Sequence, residues 1–250
     1  MNASSGNSGD AGSVHRIFYG RRRGRKLRAS MSALLEEDLP KLAIDPPGDG
    51  ETLDPTTLFT HQPREIWLEI GFGAGEHLAW QADVNRDVGI VGGEPFLNGV
   101  ASLLRHRRNL GVDNIRVYAD DVRPLLDHLA DGSFSRIFVL FPDPWPKTRH
   151  HFRRIVQAET IASFHRLLSP GGELRLATDD MEYLRWMLAR VLRQGGFQWL
   201  AKGPRDWRER PEDWPATRYE EKAREAGRSP CFLRFVRNGG TGCAGLAGGR

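Results

Sequence analysis

An apolar run, Ile66-Trp67-Leu68, leads straight into Glu69-Ile70-Gly71-Phe72-Gly73-Ala74-Gly75-Glu76, and no other stretch of the chain constrains its fold as strongly. A strand that must turn at once into a helix beside a ligand needs backbone without Cβ atoms in the way, which Gly71, Gly73 and Gly75 supply. The helix expected over 75–84 then points its free N–H groups at whatever the turn cradles. The spacing reads against a dinucleotide. That fingerprint wants G-x-G-x-x-G, whereas here the third glycine comes one residue early and Glu76 stands where the fingerprint wants glycine. A carboxylate there would repel a pyrophosphate. Glu69, two residues before the first glycine, suits a ligand carrying ammonium and sulfonium charges.

Downstream the chain alternates short apolar strands with amphipathic helices, which predicts an α/β fold with a doubly wound, mainly parallel sheet. Strands are expected over 88–93, 115–118, 134–141, 173–178, 197–200 and 231–236. Helices are expected over 96–109, 122–130, 152–168 and 181–194. Glu94 closes the second strand about twenty residues past the glycines, where doubly wound folds place an acid for ribose hydroxyls. Asp121, at the end of the third strand, either faces an adenine amino group or caps the following helix, and both roles are compatible. After the most apolar strand comes Pro142-Asp143-Pro144-Trp145-Pro146-Lys147. Its three prolines push Phe141, Asp143 and Trp145 into extended backbone and remove donors, so one carboxylate, one large ring and one cation are held rigidly at the edge where open α/β folds bind ligands.

Residues 1–13 are Ser-, Gly- and Asn-rich and are expected to be a disordered tail. A basic arm and approach segment occupies 14–63, with Arg16, Arg21, Arg22, Arg23, Arg25, Lys26 and Arg28 and no acid between Ala11 and Leu35. A helix is expected over 32–42 and irregular chain over 44–63. Clustered cations of this kind neutralise phosphates, the sequence-independent part of nucleic-acid affinity. The core domain is placed at 64–237. Its polar insertion at 202–230 interleaves Trp207, Trp214 and Tyr219 with arginines, a composition that suits looped or single-stranded RNA. A flexible tail is expected over 238–250. There is no apolar run of eighteen residues and no apolar leader, which points to a cytoplasmic protein without a membrane span. Cys231 and Cys243 read as plain thiols, and His150 and His151, lacking partners at metal spacing, as polar surface; no metal site is expected.

The pattern acid-x-G-x-G-x-G resembles the first motif of S-adenosylmethionine-dependent methyltransferases, and the acid-Pro-aromatic segment resembles the base-gripping motif of those that act on nucleic-acid bases. Together with Gly93-Glu94, Asp121, Arg153-Arg154-Ile155 and Thr217-x-x-Glu220, these stretches resemble the tRNA (guanine-N7-)-methyltransferase family over residues 18–237. The resemblance implies a seven-stranded, Rossmann-like class I methyltransferase sheet, S-adenosylmethionine as cofactor and tRNA as partner with no obligatory protein partner. It also implies methylation of the variable-loop guanine at position 46. By the same resemblance Glu69, Gly71, Gly73, Gly75, Glu94, Asp121 and Asp143 form the cofactor site, and Asp143 is the catalytic residue. Lys147, Asp179, Thr217, Arg218, Tyr219 and Glu220 contact substrate, the family's Ala-Thr-Asp falling on Asp179 rather than Asp180. Methylation of another base position is the nearest alternative; a nicotinamide-dependent oxidoreductase and a non-catalytic RNA-binding module are more distant ones.

Overall fold

The structure, a computed structural model, describes residues 20–239. The expected tail at 1–13, Arg16, and the end of the chain from 240, Cys243 included, lie outside them. Two short helices open the described chain, α1 (Ala29–Glu37) and α2 (Leu39–Leu42), and a single 3-10 turn, Pro55–Leu58, interrupts the approach segment. Strands and helices then alternate: β1 (Glu65–Ile70), α3 (Glu76–Val84), β2 (Val88–Gly93), α4 (Leu97–Leu110), β3 (Ile115–Tyr118), α5 (Val122–His128), β4 (Phe134–Leu140), α6 (Ala158–Leu167), β5 (Leu168–Thr178), α7 (Met181–Gln194) and β6 (Phe197–Trp199). The chain closes with α8 (Arg205–Arg208), α9 (Arg218–Glu225) and β7 (Cys231–Arg237).

The seven strands form one sheet in the order β3-β2-β1-β4-β5-β7-β6. All pairs from β3 to β5 are parallel, while β7 runs antiparallel between β5 and β6. The order reverses between β1 and β4, and such a switch point opens a crevice at the carboxyl ends of the strands.

Each strand sends alternate side chains to opposite faces. Leu68, Ile70, Ile137, Val139, Leu174 and Leu176 enter a core covered by α5, α6 and α7, while Trp67 and Phe138 enter a second core with residues of α1, α3 and α4. On that second face the sheet beyond β4 is covered by the insertion. Trp214 is 5% exposed there, with its ring edge-on to those of Phe138, His77 and Phe232. Beneath it Arg175 of β5 is buried, bonded to Glu173 (2.8 Å) and to Asp213 of the insertion (2.7 Å).

Three local expectations are corrected. The helix expected from 152 starts at Ala158; Thr148–Arg153 is a 3-10 turn, and the α-helix begins only where Gln157 and Thr160 cap each other reciprocally. The strand expected from 173 begins at Leu168, so that β5 has eleven residues, with a register shift in its pairing between Phe134 and Arg136. His151 is half-buried with its ring 5.2 Å from that of Trp186, so it is packing rather than plain surface. No helix among the described residues is long and apolar enough to cross a membrane.

Candidate active site

The turn after β1 carries positive φ at Gly71 (70°), Gly73 (56°) and Gly75 (80°), a region that side-chain-bearing residues enter only at a cost. It also brings two segments unusually close: a Cβ on Gly99, in the first turn of α4, would lie 2.1 Å from the Gly73 carbonyl oxygen. α4 therefore seats directly on the glycine turn. Glu94 locks that seat, since one carboxylate oxygen accepts from Gly73 N–H (2.8 Å) and the other from Phe96 N–H (2.9 Å). Burial pushes the Glu94 carboxyl above its ordinary range, opposed by those two hydrogen bonds and assisted by the charges of Asp143 and Glu69.

The crevice has a volume of about 630 Å³, within the range of small-molecule sites. Gly71, Gly73, Glu94, Asp121, Asp143 and Tyr219 lie in its wall. Asp121 caps α5 through Arg123 N–H (3.1 Å) and also forms an ion pair with the Arg123 guanidinium at 2.6 Å. The capping role is present, and the carboxylate that lines the crevice is already paired with a guanidinium. Its neighbour Asp120 pairs with Arg22 of the basic arm. The arm runs along the start of α4, with Arg22 carbonyl accepting from Leu97 N–H, and Asn98 bonding both Gly24 N–H and Arg25 carbonyl. Arg21 consequently forms part of the crevice wall.

The proline-rich loop, which leaves β4 beside β1, forms another stretch of the crevice wall. It is not uniformly extended as its prolines suggest: Phe141 (φ 50°) and Trp145 (φ 44°) occupy the left-handed region. The helical well is closed to a residue before proline, and the surrounding contacts select the rarer alternative over extended chain. Phe141 N–H is held by Ala177 carbonyl (2.8 Å). Trp145 lies under the Arg153 guanidinium, 4.9 Å from the ring centre, and edge-on to His150. Strained backbone at non-glycine residues persists only where neighbours over-determine it, and it gathers at functional sites. The main restraint is Arg154, 1% exposed, whose Nε donates to Pro144 carbonyl at 2.7 Å and whose guanidinium forms an ion pair with Glu182 over the rings of Tyr183 and Trp186. Asp143 sits between these fixed points and is exposed to the crevice.

Other residues that the resemblance implies have partners within the chain. Glu69 shares the strand face of Trp67, so it lies beneath the turn, 3% exposed, bonded to His77 Nδ1 at 2.7 Å. Gly75 caps α3 and abuts Leu103. Thr217 is the N-cap of α9, accepting from Glu220 N–H, and buried Glu220 is held by Arg210 and Arg224 (2.6 Å). Thr217-x-x-Glu220 is thus a helix start, with the cap-plus-Glu spacing of a capping box. Arg218 pairs with Glu76 across 3.4 Å, and Tyr219 beside it packs its ring over Gly73. Lys147 is exposed at the end of the proline-rich loop. Asp180 is used up in capping α7, bonding Tyr183 N–H (2.8 Å), whereas Asp179 reaches Arg228 at 2.9 Å. Of the insertion's aromatics only Tyr219 faces the crevice; Trp207 and Trp214 pack against the cores.

A mainly parallel sheet with an antiparallel β7 between β5 and β6, a glycine turn after β1 and an acid after β2 define the class I S-adenosylmethionine-dependent methyltransferases. A family model described as a putative methyltransferase matches residues 63–233. A tRNA (guanine-N(7)-)-methyltransferase from Rhodospirillum rubrum is 52% identical over 88% of this chain and 87% of that protein. One from Roseobacter denitrificans is 49% identical over 89% and 97%. Among solved structures, an rRNA methylase from Streptococcus thermophilus superposes with a TM-score of 0.49 at 15% identity, covering 70% of this chain and 87% of that one. The chain belongs to the tRNA (guanine-N7-)-methyltransferase family, and its cofactor is S-adenosylmethionine. The crevice fits that cofactor: glycine backbone without side chains in its wall, the carboxylates of Glu94, Asp121 and Asp143 around it, and room for a nucleoside with an amino-acid arm.

Proposed function

We propose that this chain methylates N7 of a guanine in tRNA, at position 46 of the variable loop, with the crevice as the catalytic centre. The observation that carries the reading is the placement of Asp143: an exposed carboxylate on a proline-rich loop, lining the same crevice as the glycine turn. Bound S-adenosylmethionine supplies an electrophilic methyl group. Glu94 accepts from its ribose hydroxyls with the lone pairs that Gly73 and Phe96 leave over, and Asp121 faces the adenine end. Guanine N7 presents a lone pair outside the Watson–Crick edge and needs no deprotonation, so the chain has no need of a strong base. Its task is alignment, an effect that reaches about 7–11 kcal/mol in well-oriented reactions. Asp143 accepts from guanine N1–H and the exocyclic amine and offsets the positive charge that the purine acquires. Tyr219 and Lys147 flank the entering base.

The test is transfer of labelled methyl to an unmodified tRNA transcript, followed by chemical scission at 7-methylguanine. Label with scission in the variable loop is the expected result; label without scission would place the methyl on another atom or base.

Glu94 makes the cofactor affinity pH-dependent. Its carboxyl, ordinarily near pH 4.3, is displaced upward by burial, so the fold favours the protonated form. The stability this confers is complete below the unfolded value and lost as pH rises through the folded one. Ribose recognition needs the opposite, ionised form. S-adenosylmethionine binding, measured by calorimetry, should therefore tighten as pH rises through the displaced value, and Glu94→Gln should bind more weakly with a flattened profile over that window. The arm gives a second expectation: replacing Arg21, Arg23 and Arg25 by Gln should weaken tRNA binding and lower the slope of log K against log salt by roughly one unit for each phosphate no longer neutralised.

A further inference from the structure

The sheet edge opposite the crevice carries a second concave site that methyl transfer does not use. β1, β2 and β3 begin there, and at roughly 3.3 Å per residue the six residues of β1 put it about 20 Å from the glycine turn. The hollow has a volume of about 490 Å³. Its cations come from separate elements, and they differ in how well they are compensated. Arg64 is paired with Asp87 (2.7 Å) and Glu65 (2.9 Å), and Arg86 with Asp83 (2.5 Å). Among the described residues Lys41 has only a long ion-pair contact, to Asp38 (3.7 Å), a carboxylate already bonded by Arg108 at 2.9 Å. Arg116 meets no carboxylate within ion-pair distance among the described residues; its guanidinium donates to the carbonyls of Leu58, Asp113 and Ile115 and lies 4.8 Å from the Phe59 ring. Arg107 has no ion pair among the described residues, and its buried Nε has no hydrogen-bond partner.

Two such guanidiniums facing one hollow are unfavourable on their own. The ionisation of Arg116 is pushed down, first by burial and then by the charge of Arg107, and a buried donor left unbonded carries a desolvation cost. An anion with several acceptor oxygens relieves both, and the planar, multi-donor guanidinium favours phosphate over a simple halide.

We propose that this hollow, formed by Lys41, Arg107 and Arg116 at the amino ends of β1 to β3, is a phosphate-binding site. The phosphate is either a backbone phosphodiester of the tRNA, far from the base in the crevice, or a free phosphate or diphosphate. The first source rests on the tRNA reading above; the second does not. Inorganic pyrophosphate titrated calorimetrically into the full chain, with S-adenosylhomocysteine occupying the crevice, tests the second. Salt-dependent tRNA binding tests the first. Arg107→Gln keeps a good helix former and removes the charge, and Lys41→Gln removes an exposed one; both should retain the wild-type melting temperature and S-adenosylmethionine affinity. If the ligand is free, wild type binds pyrophosphate at one site and both variants weaken it severalfold while the tRNA salt slope is unchanged. If it is RNA, each variant weakens tRNA binding by about threefold to tenfold at low salt and lowers the slope by roughly one unit. Pyrophosphate binding and tRNA salt slopes both unaltered in the two variants would overturn the proposal. A wild-type chain that neither binds nor methylates tRNA would instead count against the tRNA reading, and the pyrophosphate titration would still decide this one.

Discussion

Asp143→Asn is expected to lower single-turnover methyl transfer to tRNA by about 10²–10³, the range seen when one preorganised electrostatic contact to a transition state is removed. The substitution keeps the shape of the side chain. It removes the negative charge and turns one acceptor into a donor that opposes guanine N1–H and the exocyclic amine. Because Asp143 is exposed at the crevice rather than packed in a core, stability should stay within about 0.5 kcal/mol of wild type, as for surface positions generally. The loss should therefore appear in rate with an unchanged melting curve. S-adenosylmethionine affinity should fall far less than in Glu94→Gln, since Asp143 is assigned chiefly to the base. Full single-turnover rate in Asp143→Asn would remove charge stabilisation from the mechanism and leave orientation alone.

The parts of this site that were legible in the sequence are those whose chemistry is local. Three glycines in five residues announce a sharp strand-to-helix turn, an acid after the next strand announces a carboxylate beside it, and three alternating prolines announce a restrained loop; all three stretches meet in one crevice. The strand–helix alternation likewise carried the sheet. Residues whose partners are distant could not be placed from the sequence. Glu69 lies in a strand covered on both faces, where a partner such as His77 makes a carboxylate tolerable, and no local pattern names that partner. Thr217 and Glu220 are spaced as a helix start, which alone accounts for the threonine's hydroxyl and the glutamate's backbone partner. Trp214 sits among charges in sequence yet covers Phe138 and Phe232 across the sheet. No local pattern tells a stacking tryptophan from a packing one when the surface it covers lies on other strands. The docking of 22–25 on α4, through Asn98 about seventy residues away, has no sequence signal at all.

Arg154→Ala should be the most damaging single substitution outside the crevice, because one side chain connects the stability of the fold to the aim of Asp143. Its guanidinium is fully buried, yet the partner carboxylate of Glu182 is half exposed, so water can re-solvate Glu182 once the arginine is gone. The loss comes instead from the other partners. Pro144 carbonyl forfeits its donor, and a cavity opens against Tyr183 and Trp186. A part-buried acceptor without its donor and an unfilled cavity together predict a destabilisation of about 2–4 kcal/mol. With the carbonyl released, the segment between Phe141 and Trp145 has fewer restraints holding its left-handed residues, and extended conformers that proline permits become accessible. Asp143 then samples positions away from the base, and displacement by about 1 Å in a positioned group can cost on the order of 10² in rate. The predicted signature is a lowered melting temperature together with a fall in kcat larger than any change in S-adenosylmethionine affinity, since the glycine turn and Glu94 are held by hydrogen bonds of their own. Arg154→Lys should recover part of the packing but little of the rate, because a single ammonium cannot bond Pro144 carbonyl and Glu182 in the same planar geometry. If Arg154→Ala lost stability while its kcat at a temperature below melting stayed at the wild-type value, the loop would be held by its prolines alone and Arg154 would be a core residue with no part in aiming Asp143.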